Sequence, residues 1–111
     1  ISLILFDKVS CQRMIKLSYV SEMKYMELKE GTHLPLLGLG TSGIGGSKPD
    51  PELDKKGIES IRMAIIGFKH LDTAEVYGDN HTEELIGRAI ESYEREDLFI
   101  TTKVSGEHLR Y

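Results

Sequence analysis

The sequence lacks the features of several specialised protein classes. It has one cysteine, Cys11, and no tryptophan among 111 residues, so it forms no internal disulfide and weakly favours a reducing compartment. Its opening apolar run, residues 1–6, is interrupted by Ser2 and ends at Asp7, far short of the roughly 20 residues that cross a bilayer. The 14 basic and 18 acidic residues are scattered and give a net charge of -4, which argues against a nucleic-acid surface.

The remaining composition is that of an ordinary globular domain. Hydrophobic residues make up 40% of the chain and charged residues 29%, and the length allows one small domain with a modest core. Residues 1–22 show no clean hydrophobic period and lack the basic start and cleavage site of a signal peptide. We therefore interpret residues 1–22 as an N-terminal extension of unknown role and expect a cytoplasmic location. The oligomeric state is left open.

Residues 24–46 carry the pattern of a hairpin followed by a strand and a loop. Residues 26–28 and 34–36 flank a glycine-containing turn, which predicts a β-hairpin. Residues 36–39 then form a short apolar strand, and the glycine-rich loop at residues 40–46 follows.

The next segment predicts a helix with a defined start. Asp50 can act as the N-cap with Pro51 at the first helical position, and Gly67 is a plausible terminator. Gly57 lies on the apolar face, where it would let the helix approach a sheet closely. The expected buried stripe, on a 3.6-residue period, consists of Leu53, Ile61, Ala64, Ile65 and Phe68.

A strand, a second helix and a third strand complete the pattern. Residues 70–73 form the strand, and the helix starts near Asn80 with Glu83 as a capping-box partner. Residues 97–104 form the third strand. The order of hairpin, β, α, β, α, β predicts a parallel sheet with right-handed crossovers. The second helix is expected to bury Leu85, Ile86, Ala89, Ile90 and Tyr93.

Chemically useful side chains follow the predicted strands. Asp72 and Tyr77 come at or after the second parallel strand, Lys103 lies near the end of the third, and the glycine loop follows the first. Such strand ends share one face of a parallel α/β fold. An ammonium lowers the pKa of a neighbouring phenol, and a carboxylate can hold that ammonium in place. The set therefore indicates a general acid for a carbonyl oxygen.

Three short runs together resemble the aldo-keto reductase family, in its microbial form. They are GLGT at residues 38–41, LDTA at residues 71–74 leading to Tyr77-Gly78, and TKV at residues 102–104. The run NHTEELIG at residues 80–87 is also similar. The resemblance covers residues 23–111 and implies the N-terminal part of a (β/α)8 barrel, preceded by a hairpin. It implies an oxidoreductase that reduces a small aldehyde or ketone with NADPH, with NADH possible.

The resemblance also implies a role for each matching residue. Tyr77 would protonate the carbonyl oxygen, Lys103 would favour the phenolate form, and Asp72 would pair with Lys103. The residues implied to border the nicotinamide ribose are Gly40, Thr41, Ser42 and Asp72.

The sequence departs from the family pattern in three respects. The family's catalytic histidine has no counterpart, since His108 lies too close to Lys103. Ser42 stands where many relatives have tryptophan, so one aromatic wall of the pocket is missing. A barrel needs roughly 250 residues to close, and about three of its eight strands are present. We therefore expect a fragment that is inactive alone.

Other readings of these residues are possible. Gly38-x-Gly40-x-x-Gly43 matches a dinucleotide-binding fingerprint formally, but residues 44–49 do not resemble a helix start. Taken singly, Asp72, Tyr77 and Lys103 are ordinary structural residues, and only their combination favours catalysis. A non-enzymatic regulatory or cofactor-sensing module, or a gene remnant, is the alternative function. His33 and His81 are interpreted as turn or cap residues, and no metal-ligand spacing occurs.

Overall fold

The computed structural model describes residues 24–109, so the predicted extension at residues 1–22 lies outside the described residues. Seven main elements occur in this range, and short 3-10 turns lie at Tyr77–Asn80, Arg95–Asp97 and Gly106–His108. None of the helices in the described part of the chain is long and apolar enough to cross a membrane. The elements are β1 (Tyr25–Glu27), β2 (His33–Pro35), β3 (Leu39–Gly40), α1 (Pro51–Gly67), β4 (His70–Asp72), α2 (His81–Ile90) and β5 (Phe99–Thr101).

The first two strands form the predicted hairpin. β1 and β2 pair antiparallel, with Met26 opposite Leu34. The turn between them needs a left-handed residue, and Gly31 supplies it with φ 78°, a conformation that glycine adopts without steric penalty. The hairpin prediction is therefore confirmed.

The other three strands form a parallel sheet in the order β3-β4-β5. Leu39 pairs with Leu71, and Leu71 pairs with Ile100. This confirms the predicted strand order, although the strands are shorter than expected. β3 begins at Leu39 because the preceding Leu36 and Leu37 are 50% and 67% exposed and do not pair in the sheet.

Helix α1 starts as predicted, but the first residue of its predicted buried stripe is not buried. The Asp50 carboxylate accepts hydrogen bonds from the N–H groups of Glu52 and Leu53, at 3.0 and 3.3 Å. Leu53 itself is 50% exposed, so its predicted burial is wrong. Its side chain lies against the loop at Gly46 rather than against the sheet.

The two glycine predictions for α1 have different outcomes. A Cβ on Gly57 would lie 2.8 Å from Cγ2 of Ile44 and 3.7 Å from Cδ1 of Leu85. The lack of a side chain at Gly57 therefore allows the glycine loop and α2, and not the sheet, to pack closely against α1. Helix α1 ends at Gly67, as predicted, and the left-handed residue that follows the helix is Lys69, with φ 55°.

Helix α2 buries the predicted stripe but does not use the predicted cap. Asn80 has φ 72° and its side chain makes no capping hydrogen bond. The Glu83 carboxylate accepts instead from the Thr102 hydroxyl, at 2.5 Å. The capping box is therefore wrong, because Asn80 turns left-handed and Glu83 finds a partner after β5.

The hydrophobic core lies between α1, α2 and the sheet. Ile61, Leu71 and Leu85 are fully buried, and Ile90 and Tyr93 pack against the cluster. The core therefore packs against β4 through Leu71, and the carboxyl ends of the strands lie outside it. Its buried members are Ile58, Ile61, Ala64, Ile65, Leu71, Leu85, Ile86, Ala89 and Leu98.

Candidate active site

The predicted site residues lie at the carboxyl ends of the three parallel strands. Gly40 is the last residue of β3 and Asp72 the last residue of β4. Tyr77 opens the turn after β4, and Lys103 lies two residues beyond β5. Because the strands are parallel neighbours, their ends meet at one edge of the sheet.

Asp72 and Lys103 are in direct contact. The Lys103 Nζ atom donates a hydrogen bond to Asp72 Oδ1 at 2.6 Å, and their side chains are about half exposed. The hydrogen bond to Asp72 raises the pKa of Lys103 above its ordinary value, against a smaller opposing effect of burial. Lys103 is therefore an ammonium throughout the neutral pH range.

The same ammonium lies beside Tyr77. Nζ of Lys103 is 5.3 Å from the centroid of the Tyr77 ring, within the range of a cation–π contact. The charge of Lys103 thus faces both the carboxylate of Asp72 and the aromatic ring. The three residues that the sequence predicts to act together are brought together.

A shallow depression opens at this cluster. Its volume is about 260 Å³, and most of its lining is apolar. A larger depression of about 580 Å³ lies between α1 and α2, and none of the predicted site residues lines it. We assign the site to the smaller one because the titratable cluster borders it. Its lining residues are Ala74, Val76, Tyr77, Lys103, Val104 and Ser105.

Thr41 fastens the end of β3 to the end of β4. Its N–H group and its hydroxyl both donate to the Asp72 carbonyl at 3.0 Å, and the residue is fully buried. The Thr41 side chain is therefore committed to the backbone. Ser42 is exposed, and the space beside Gly40 is open, with no atom within 4 Å of the position of a Cβ.

The glycine loop is held against the turn that carries Tyr77. The fully buried Thr82 donates through Oγ1 to the Ile44 carbonyl at 2.6 Å. A Cβ on Gly78 would lie 2.6 Å from that Oγ1 atom and 2.8 Å from the Gly46 carbonyl. Gly78 also has φ 59°, so both its backbone and its lack of a side chain are required. Thr82 could not be identified from the sequence as a contact of the loop, because nothing in its spacing points to residues 40–46.

His81 joins the two helices beneath this loop. Its Nε2 atom lies 2.9 Å from Asp54 Oδ2, its Nδ1 atom lies 3.3 Å from Glu84 Oε2, and its side chain is 10% exposed. The hydrogen bond to Asp54 is the largest cause that raises the pKa of His81. The interpretation of His81 as a turn or cap residue is therefore incomplete: it is the first residue of α2 and bridges to α1. Within residues 24–109, no group of three His, Cys, Asp or Glu side chains is placed to hold a metal ion.

Comparison with known proteins gives a consistent result. Residues 36–110 match the Aldo/keto reductase family. Rat aldo-keto reductase family 1 member C18 is 38% identical over 91 residues, which are 76% of this chain and 26% of that protein. Aldo-keto reductase YhdN of Bacillus subtilis is 36% identical over 86 residues, 75% of this chain and 26% of that protein.

Two solved structures share the fold of the described region. The thermostable aldo-keto reductase Tm1743, solved with the inhibitor epalrestat, is 54% identical with a TM-score of 0.72, over 79% of this chain and 33% of that one. An aldo-keto reductase from Klebsiella pneumoniae, solved with NADPH, is 30% identical with a TM-score of 0.65, over 78% and 29% of the two chains. The chain spans between 26% and 33% of the length of these relatives.

Proposed function

Because this chain belongs to the Aldo/keto reductase family, we propose that it supplies the first part of a (β/α)8 barrel and three catalytic residues of an NADPH-dependent carbonyl reductase. Residues 23–111 would form the hairpin and about three of the eight strands. The parallel order β3-β4-β5, with a helix between successive strands, supports this assignment. Residues 1–22 would be a separate extension.

One observation carries the proposal. The Lys103 ammonium lies 2.6 Å from Asp72 Oδ1 and 5.3 Å from the Tyr77 ring centroid. The three side chains come from the ends of two neighbouring strands and the turn between them. The geometry therefore supports a phenol whose proton transfer is assisted by a carboxylate-held ammonium.

The proposed reaction assigns one step to each residue. Gly40, Thr41, Ser42 and Asp72 would hold the nicotinamide end of NADPH, which would be the source of the hydride for the carbonyl carbon. Tyr77 donates its phenolic proton to the carbonyl oxygen, which completes the alcohol. Lys103 favours the negative charge that remains on the Tyr77 oxygen, and Asp72 keeps the ammonium in place.

The strand ends that face the site fit a flat nicotinamide and its ribose. The backbone of Gly40 is bordered by open space, and Ser42 is exposed beside it. Thr41 uses its hydroxyl on the Asp72 carbonyl, so it would border the cofactor through its backbone, while Asp72 would contribute its carboxylate. We propose NADPH and not NADH as the cofactor because the Klebsiella relative was solved with NADPH.

The proposed substrate is a small aldehyde or ketone. The depression beside Tyr77, at about 260 Å³, is largely apolar and suits a carbonyl compound of modest size. A cytoplasmic location is proposed on the single cysteine of the chain, a composition compatible with a reducing compartment.

The experiment that tests the proposal is a carbonyl-dependent oxidation of NADPH. The complete gene product that contains this chain would be assayed at 340 nm with a panel of aldehydes and ketones. We expect turnover in the wild type and a loss of about 10²- to 10⁴-fold in Tyr77→Phe, because a positioned general acid contributes that much. Tyr25→Phe, in the hairpin, is the matched control and should keep its activity.

Two outcomes would contradict the proposal. If no carbonyl compound accelerates NADPH oxidation, the reductase function fails; tight NADPH binding without turnover would then favour a cofactor-sensing module. If Tyr77→Phe oxidises NADPH as fast as the wild type, Tyr77 is not the acid.

The 111 residues expressed alone should neither bind NADPH tightly nor turn over. The relatives are three to four times as long as the matched region, and β3 and β5 form the edges of the described sheet. Such edges are covered in natural proteins. Steady NADPH oxidation by this segment with a simple aldehyde, abolished by Tyr77→Phe, would show the prediction to be wrong.

A further inference from the structure

The chain segments beyond β4 and β5 remain paired as they approach the site. The Thr73 N–H donates to the Thr101 carbonyl at 2.8 Å, and the Glu75 N–H donates to the Lys103 carbonyl at 3.0 Å. Both bonds run from the segment after β4 to the segment after β5. The two segments therefore stay in contact past the last strand residues, as far as Lys103.

The next bond in this direction is made by a side chain. The Ser105 N–H donates to Glu75 Oε2 at 3.0 Å. In a continuing parallel ladder, the carbonyl of Glu75 would accept this bond, and here the carboxylate of the same residue accepts it. Glu75 thus holds the neighbouring segment at two points, the Lys103 carbonyl and the Ser105 N–H, on either side of Val104.

The Glu75 carboxylate is suited to accept such a bond. Its Oε1 atom lies 2.5 Å from Nδ1 of His108, and its side chain is only 27% exposed. The pKa of Glu75 is lowered, first by the hydrogen bond from the Ser105 N–H and further by His108, while burial opposes the shift. The group is therefore an anion at neutral pH, and bonds from N–H groups to anions are stronger than neutral ones.

We propose that Glu75 is a positioning residue that fixes where Lys103 lies relative to Asp72 and Tyr77. The inference rests on the proposed function and adds a residue that does not itself touch the carbonyl group. The bond between Lys103 Nζ and Asp72 Oδ1 is 2.6 Å long and both side chains are half exposed, so packing does not hold it. The backbone of Lys103 must then be held by its neighbours, and Glu75 supplies two of those bonds.

The test compares three variants of the complete gene product. Glu75→Ala removes the acceptor, Glu75→Gln keeps an acceptor oxygen without the charge, and Glu107→Ala alters an exposed carboxylate of the next turn. In Glu75→Ala we expect kcat to fall about 10- to 100-fold, because small displacements of a catalytic group have such effects. The KM for NADPH should change by less than about twofold, since binding of the ground state is not altered.

A further readout separates positioning from general stability. The Ser105 amide should exchange its hydrogen faster than in the wild type. Glu75→Gln should recover most of kcat and of the Ser105 protection, and Glu107→Ala should resemble the wild type.

Each other result overturns the inference. If Glu75→Ala keeps the kcat of Glu107→Ala, Glu75 has no positioning role. If Glu75→Gln loses kcat and thermal midpoint to the same extent as Glu75→Ala, the loss reflects general stability and the positioning role also fails. If the wild type itself shows no carbonyl-dependent oxidation, the proposed function fails. In that case the hydrogen-exchange rate of the Ser105 amide is the only test of the inference. An unchanged rate in Glu75→Ala would contradict it.

Discussion

Leu71 and Asp72, neighbours on β4, belong to two different regions of the molecule. Leu71 lies in the core and is fully buried, whereas the Asp72 side chain is 49% exposed at the strand end. The core is made of apolar contacts between α1, α2 and the sheet. The second region, which we call the rim, consists of Asp72, Tyr77 and Lys103 at the carboxyl ends of the strands. It is held by hydrogen bonds and charges.

The difference shows that stability and chemistry are assigned to separate residues. A half-exposed ion pair such as Asp72–Lys103 contributes little to folding, because solvent screens the two charges and both side chains lose rotamer freedom. A fully buried leucine contributes several times more through burial and packing. The short bond between Lys103 and Asp72 is therefore better explained by the proposed chemistry than by stability.

Replacing Lys103 should give the largest effect and should act on the rim alone. We expect Lys103→Met to lower kcat by about 10²- to 10⁴-fold, the range of a lost proton-transfer group. The urea midpoint should change little, because exposed ion pairs contribute little to folding. Steady-state kinetics and urea unfolding of the complete gene product measure the two effects. Lys29→Met, in the hairpin turn, is the control; a large loss of stability in Lys103→Met would erase the distinction between the regions.

Replacing Leu85 should produce the opposite pattern. Leu85 is fully buried between the helices, so Leu85→Ala leaves a cavity and should destabilise the fold by about 2–5 kcal/mol. The kcat of the folded fraction should stay within about twofold of the wild type. Met63→Ala, at a position that is 71% exposed on α1, should change stability by less than about 0.5 kcal/mol. Equal destabilisation by the two variants would contradict the assignment of the core.

Thr82 is fully buried and bonds to the glycine loop, so its replacement should lower the stability of the fold. Thr82→Val keeps the shape but leaves the Ile44 carbonyl without its donor, which should destabilise the fold by about 1–3 kcal/mol. Thr73 provides the matched control, because its hydroxyl is buried and has no hydrogen-bond partner among the described residues. Thr73→Val should therefore be neutral or stabilising. Thermal unfolding of the two variants makes the comparison, and similar losses in both would show that the Thr82 bond is not the cause.

The sequence predicted the features that depend on local chemistry. The Asp50 cap depends on a carboxylate placed before Pro51, and the hairpin depends on Gly31. The parallel strand order follows from the alternation of strands and helices. Because β4 and β5 are neighbours in that order, Asp72 and Lys103 could be expected to meet, and they do.

The features that sequence reasoning missed depend on packing between distant segments. Gly57 meets Ile44, 13 residues away in the chain, and not the sheet. Glu83 meets Thr102 across 19 residues instead of closing a capping box. Periodicity gives the face on which a residue lies but not the element opposite that face.

His81 provides the smallest predicted effect, a pH dependence of stability. Its pKa is raised in the fold, chiefly by the hydrogen bond with Asp54, with Glu84 adding to the shift. A raised pKa means that the stabilisation is complete below the unfolded value of about 6.5 and is lost as the pH rises through the folded value. Wild-type stability should therefore decline above pH 6.5 relative to a variant without this group.

The difference between the wild type and His81→Gln isolates this effect, because most other titrating groups are common to both proteins and cancel. Urea midpoints at pH 6.0 and pH 8.5 should differ more between the two proteins at the lower pH. Asp54→Asn should remove most of that dependence, since Asp54 is the main cause of the shift, while His33→Gln, in the exposed hairpin, should retain it. A gap that widens with rising pH would show that burial of His81 outweighs its carboxylate partners, and the bridge between α1 and α2 would then be a neutral hydrogen bond.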